Sequence, residues 1–117
     1  MKDYFSIKDK VIIVTGGGGT GMASVLSKEL SNLDAHVYVI DIKFQNKTDV
    51  SNNFLTYVKC DITKKQKFEK ICEKIFKKHK KIDVLINGAG VTFPESGKNF
   101  YSSENWEKTF SVNLTAA

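Results

Sequence analysis

The sequence predicts an α/β domain built on an open parallel sheet, and three observations carry that reading. Short β-branched runs alternate along the chain with segments of helical period. Two turns of small residues, Thr15 to Gly21 and Asn87 to Gly90, each follow directly on an apolar run. Successive parallel strands joined by right-handed crossovers then give the spatial order 3-2-1-4, a doubly wound sheet with its switch point between the first and fourth strands.

Each element has a local reason. Val11–Thr15 is a β-branched run ending in glycines, as a buried strand should be. Beyond the glycines, Val25, Leu26, Leu30 and Leu33 recur at helical spacing and are expected to face the core. His36–Asp41 reads as the second strand, and the polar stretch from Lys43 to Asn53 as a connection. Phe54–Cys60 makes a third strand. Thr63 and Gln66 have the spacing of a capping box opening a Lys-rich helix, with Phe68, Ile71, Cys72, Ile75 and Phe76 on its inner face. Asp83–Ile86 is the fourth strand. Val91 to Ser102, holding the single proline Pro94, reads as loop. A last helix is expected from about Ser103, turning Trp106, Phe110 and Leu114 inward.

Composition narrows the class. A chain of 117 residues is one domain, 1–117, with ordinary apolar (41%) and charged (26%) content. No apolar run approaches the roughly 18 residues needed to span a bilayer, and no secretory signal opens the chain, so the expectation is a cytoplasmic protein with no membrane partner. Cys60 and Cys72 lack metal-ligand spacing and read as small apolar residues, and no metal site is expected. All 18 basic residues are lysines, nine of them between Lys64 and Lys81. They fall opposite the apolar face of the predicted helix, and without arginine the commonest base-reading contact is missing, so no nucleic-acid partner is expected.

The glycine turns carry the chemistry. Gly16, Gly18 and Gly21 satisfy G-x-G-x-x-G between a strand and a helix, where backbone N–H groups without a Cβ in the way can cradle a pyrophosphate. Asp41 closes the second strand, 20 residues past Gly21, the place for an acid that holds the adenosine ribose hydroxyls. A carboxylate there repels a 2′-phosphate and favours NAD over NADP. Lys43 is the counter-signal, a cation able to accept that phosphate.

The order of segments resembles the short-chain dehydrogenase/reductase family from about Lys8 to Ala117. The resemblance rests on the Thr15-Gly16 turn, Cys60-Asp61-Ile62-Thr63, Asn87-Gly88-Ala89-Gly90, and Ser111-Val112-Asn113-Leu114-Thr115. It implies a Rossmann-type domain in which Thr15, Gly16, Gly17, Gly18, Gly19, Thr20, Gly21 and Met22 border the cofactor phosphates. Asp41 and Ile42 would hold the ribose end, and Asp61 and Ile62 the adenine, with Asp61 left free because Thr63 supplies the helix cap. Asn87, Gly88, Ala89 and Gly90 would flank the cofactor, and Asn113 matches the asparagine of the family's catalytic tetrad.

Three departures stand out. The family turn T-G-x-x-x-G-x-G sets its second glycine five residues after the threonine, whereas Gly21 lies six after Thr15. Its third glycine is Ala23, adding a methyl where helix and strand pack, and the second asparagine of N-N-A-G is Gly88. The tetrad serine and Tyr-x-x-x-Lys lie downstream of the asparagine in the family and have no counterpart after Asn113. The expectation is therefore an incomplete sheet of about four strands, inactive alone. Intact, it would be a homo-oligomeric NAD-dependent oxidoreductase acting on an alcohol or carbonyl. The alternative is a non-catalytic nucleotide-binding or interaction module of this length.

Overall fold

The computed structural model describes residues 3–45, 53–90 and 102–117. Most of the expected Lys43 to Asn53 connection and nearly all of the Val91 to Ser102 loop lie outside these residues. Four parallel strands form one sheet in the order β3-β2-β1-β4. They are β1 (Val11–Thr15), β2 (His36–Asp41), β3 (Leu55–Lys59) and β4 (Val84–Asn87). The expected 3-2-1-4 order is the observed one. Thr15 pairs with Ile40 on one side and Asn87 on the other, so both glycine turns leave the sheet at the same carboxyl edge. Asp83 falls just before β4, where its carboxylate accepts the Val11 N–H at 2.8 Å and an ion pair from Lys81 at 3.2 Å.

Strict alternation along β1 and β2 divides the core between two faces. Val11, Ile13, Tyr38 and Ile40 face α2 (Lys65–His79), where Ile75 is buried and Phe68, Ile71 and Cys72 pack against them. The Lys-rich helix thus lays down the face predicted for it, except that Phe76 stays 53% exposed. Near its C-terminal end Tyr38 Oη and His79 Nε2 share a 2.7 Å hydrogen bond, and the His36 ring lies 4.8 Å from that of His79.

The other face holds Ile12, Val14, Val37, Val39 and Leu55 under α1 (Met22–Asn32). Here the expected apolar stripe is corrected. Val25, Leu26 and Leu33 are exposed, while the buried residues of α1 are Ser24, Ser27 and Ser31. Leu30 and Ala23 alone among the helix's apolar side chains pack on this core. Small residues at i, i+3 and i+7 let the helix backbone approach the sheet. The serine hydroxyls lose nothing by burial, because Ser27 donates to the Ala23 carbonyl at 2.6 Å and Ser31 to the Lys28 carbonyl at 2.7 Å.

The last helix, α3 (Ser103–Phe110), starts where expected, with the Ser102 hydroxyl accepting the Asn105 N–H at 3.1 Å. It runs into a π-helical turn, Ser111–Thr115. Trp106, Phe110 and Leu114 are not turned inward; all three are exposed, Trp106 against Phe110 at 4.6 Å. No described element covers that face. β4 likewise pairs with β1 alone among the described residues, leaving Leu85 half exposed. Among the described residues no helix is long and apolar enough to cross a membrane.

Candidate functional site at the carboxyl edge of the sheet

Tight contact between the two glycine turns organises the site. Gly16 has φ +81°, a conformation that favours glycine, and a Cβ on it would collide with the Ala89 backbone. Its N–H donates across the sheet to the Ile40 carbonyl at 2.8 Å, and Thr15, buried beneath, accepts the Ala89 N–H on Oγ1 at 3.3 Å. Gly88 is pressed as closely: a Cβ there would lie 2.6 Å from the Thr15 carbonyl oxygen and 2.9 Å from the Ala23 methyl. Two of the departures from the family pattern thereby explain each other. Ala23 occupies space that a side chain at position 88 would need, and Gly88 leaves it free.

A cleft of about 570 Å³ opens above this junction. Gly16 and the Ala89–Gly90 turn form one wall, Asp41 and Ile42 a second, and Asp61, Ile62 and Thr63 a third. Seven of the residues expected to meet a cofactor thus line a single cavity: Gly16, Asp41, Ile42, Asp61, Ile62, Ala89 and Gly90. Thr15, Gly17 and Gly18 lie buried beneath or beside it. Gly19, Thr20, Gly21 and Met22 are not part of its lining, and a Cβ on Gly19 or Gly21 would meet no described atom within 4 Å. Gly21 caps α1 with no side-chain hydrogen bond and no acid follows in the first turn, so no side chain there offsets the positive end of the helix.

The carboxylates are held by backbone. Asp41 accepts the Gly18 N–H at 2.9 Å on Oδ2 and the Ile42 N–H at 2.6 Å on Oδ1. Asp61 is not free, as the capping-box reading required. Its Oδ1 accepts both the Thr63 N–H at 2.9 Å and the Thr63 hydroxyl at 2.7 Å, while α2 is capped at Lys64 without a side-chain bond. Thr63 is thus spent on the turn, not the helix. Those two bonds, and then the neighbouring Lys64 and Lys67, hold the Asp61 carboxyl below the usual carboxylate range.

Sequence reasoning missed several lining residues. Cys60 forms part of the wall, its thiol pushed up chiefly by burial, and Lys64, Lys108, Ser111 and Val112 complete the rim. Cys60, Ser111 and Val112 stood inside quoted signatures, but Lys108 comes into place through the position of α3, which no local pattern announces. Asn113 lies in the π-helical turn, its Oδ1 3.6 Å from where a Cβ on Gly90 would be. The one Tyr-x-x-x-Lys spacing in the chain, Tyr4 to Lys8, precedes β1. It lies at the opposite end of the sheet from the cleft, with Tyr4 81% exposed, and takes no part in the site.

A sequence profile for short chain dehydrogenases matches residues 10–117. The chain belongs to the short-chain dehydrogenase family. The chain is 35% identical over 113 residues to an NAD-dependent glycerol dehydrogenase of Listeria innocua, covering 94% of this chain and 44% of that protein. It is 32% identical over 122 residues to a sorbitol-6-phosphate 2-dehydrogenase of Klebsiella pneumoniae, covering 97% of the chain and 45% of the relative. Among solved structures, a short-chain dehydrogenase of Leptospira borgpetersenii with bound NAD+ superposes with TM-score 0.77 at 26% identity, over 99% of this chain and 45% of that one. An NADPH-dependent 3-quinuclidinone reductase of Rhodotorula rubra does so with TM-score 0.78 at 28% identity, over 96% and 44%. This short-chain dehydrogenase chain therefore spans under half the length of the relatives it matches.

Proposed function

We propose that the cleft binds the adenosine and pyrophosphate portion of NAD, as the nucleotide-binding part of an oxidoreductase acting on an alcohol or carbonyl. One observation carries the reading: Gly16, the Ala89–Gly90 turn and the anchored carboxylates Asp41 and Asp61 line one cavity at the sheet's switch point. The first-turn N–H groups of α1 beside Gly19 and Gly21 suit a pyrophosphate. Asp41 suits ribose hydroxyls and Asp61 an amino donor such as that of adenine. The cofactor, when bound, supplies hydride transfer. Asn113, next to Gly90, suits a supporting place near the nicotinamide end, with the serine and Tyr-x-x-x-Lys pair coming from a segment that these 117 residues do not contain. We read the complete enzyme as a cytoplasmic homo-oligomer.

Calorimetric titration of the chain with NAD and NADP tests the cofactor. The expected result is tighter binding of NAD, by about tenfold or more, since a 2′-phosphate would meet the Asp41 carboxylate. Tighter binding of NADP would transfer the role to Lys43 and defeat the assignment of Asp41.

A further inference from the structure

We infer that Gly18 is a specificity-determining residue, and that the longer glycine turn excludes a 2′-phosphate through backbone as well as through the charge of Asp41. The inference rests on the NAD reading of the cleft and goes beyond it. The turn carries one residue more than the family spacing, and Gly18 lies within it. Gly18 is buried, its N–H on Asp41 Oδ2 at 2.9 Å and its carbonyl accepting the Gln45 N–H at 2.9 Å. A Cβ on Gly18 would collide with the Lys43 carbonyl oxygen and lie 2.9 Å from the Asp41 Cβ. Both polar groups of this residue are thus spent on the end of β2 and the segment that follows it, which is laid directly on the turn.

That segment is anchored from its other side. Phe44 packs on the second core and stacks edge-on against Tyr57 at 5.1 Å. Beside Asp41 the chain thus sets two acceptors next to each other, the carboxylate and the Lys43 carbonyl laid over Gly18. Ribose hydroxyls can donate to such a pair; a phosphate has no proton to offer it and is repelled. Charge-assisted bonds such as the one from Gly18 are about twice as strong as neutral ones, so the clasp is set before any nucleotide arrives. Removing the Asp41 charge leaves the Lys43 carbonyl and the Phe44 anchor in place.

The experiment uses four forms of the chain: native, Asp41→Ala, Phe44→Ala, and a deletion of one glycine from Gly16–Gly19, which restores the family spacing and gives the same product whichever is removed. Each is titrated with NAD and with NADP, and amide hydrogen exchange at Gly18 and Gln45 is followed without nucleotide. We expect both amides to be protected in the native chain. Asp41→Ala should lose about tenfold in NAD affinity without gaining NADP affinity. The glycine deletion and Phe44→Ala should lose Gln45 protection and narrow the NAD/NADP ratio by about tenfold or more. Phe44→Ala keeps the test open if the deletion fails to fold. An Asp41→Ala chain whose NADP affinity rises above that of the native chain, or unprotected Gln45 in the native chain, would overturn the inference. Failure of the native chain to bind either nucleotide would instead overturn the reading of the cleft, whatever the amides show, and the specificity claim with it.

Discussion

The two faces of this sheet are built by opposite rules. Under α2 the pattern in the sequence and the packing agree: Phe68, Ile71, Cys72 and Ile75 meet the apolar side chains of β1 and β2. Under α1 they disagree, because Ser24, Ser27 and Ser31 face the sheet while Val25, Leu26 and Leu33 face outward. Periodicity shows that a helix has an apolar stripe. It does not say which neighbour the stripe meets, and a stripe of small residues can win the sheet because it allows a closer approach. The small-residue face also lies next to the glycine turns. A Cβ on Gly17 would be 2.8 Å from Val39 Cγ1 and 3.4 Å from Ser27 Oγ, so the close approach of α1 and the seating of the turn are one arrangement.

Truncations on the two faces should separate them most sharply. Ile75 is 4% exposed, and Ile75→Ala should cost about 2–5 kcal/mol, the range for cavities left by large aliphatic side chains. Leu26→Ala, at a side chain 40% exposed, should cost under about 1 kcal/mol. Chemical denaturation of the three forms measures both. Equal costs would mean that Leu26 is buried in solution and that the two faces do not differ as described.

A smaller effect is expected where Ala23 meets Gly88. Gly88→Ala should destabilise by about 1–3 kcal/mol through overpacking against the Ala23 methyl and the Thr15 carbonyl. Adding Ala23→Gly should recover part of that loss, the remainder belonging to Thr15. A double-mutant cycle by denaturant midpoints gives the coupling. Strict additivity would show that the two departures arose independently and share no space.

The smallest effect belongs to the α2 face and depends on pH. Burial first, then His36, Lys78 and Lys81, holds the His79 imidazole below the ordinary histidine range, next to the Tyr38 hydroxyl. Above about pH 6.5 the ring is neutral in both folded and unfolded chains, and its contribution is fully present. As pH falls from there toward the lowered folded value, the unfolded chain takes the proton and the folded one does not, so stability declines. Thermal melts between pH 7.5 and 5 should show that decline for the native chain and less of it for His79→Gln. Parallel curves for the two would remove His79 from the account.

Much of this was legible from residues. Strand order followed from alternating periods and crossover handedness, and Asp41, Asp61 and the two glycine turns were drawn to one edge by position alone. What escaped was set by three-dimensional contact. Asp61 and Thr63 share a turn that looks, in sequence, like a helix cap. The methyl of Ala23 lies against Gly88, 65 residues away along the chain. Gly18 of the first turn is bonded to both Asp41 and Gln45, residues more than 20 positions away. Each is a pairing between segments, and no window along the chain contains both partners. The last helix failed for a related reason, since Trp106, Phe110 and Leu114 have an inward-facing pattern but no described element to face.

The central claim is that the carboxyl-edge cleft takes the adenosine half of a dinucleotide, and mapping NAD onto the backbone amides by nuclear magnetic resonance tests it most directly. Amide shifts on titration should concentrate at Gly16–Gly21, Asp41–Ile42, Asp61–Thr63 and Ala89–Gly90, while His36, Lys78 and Lys81 at the far end of the sheet stay unchanged. Shifts confined to that far end, or to the lysine face of α2, would contradict the claim.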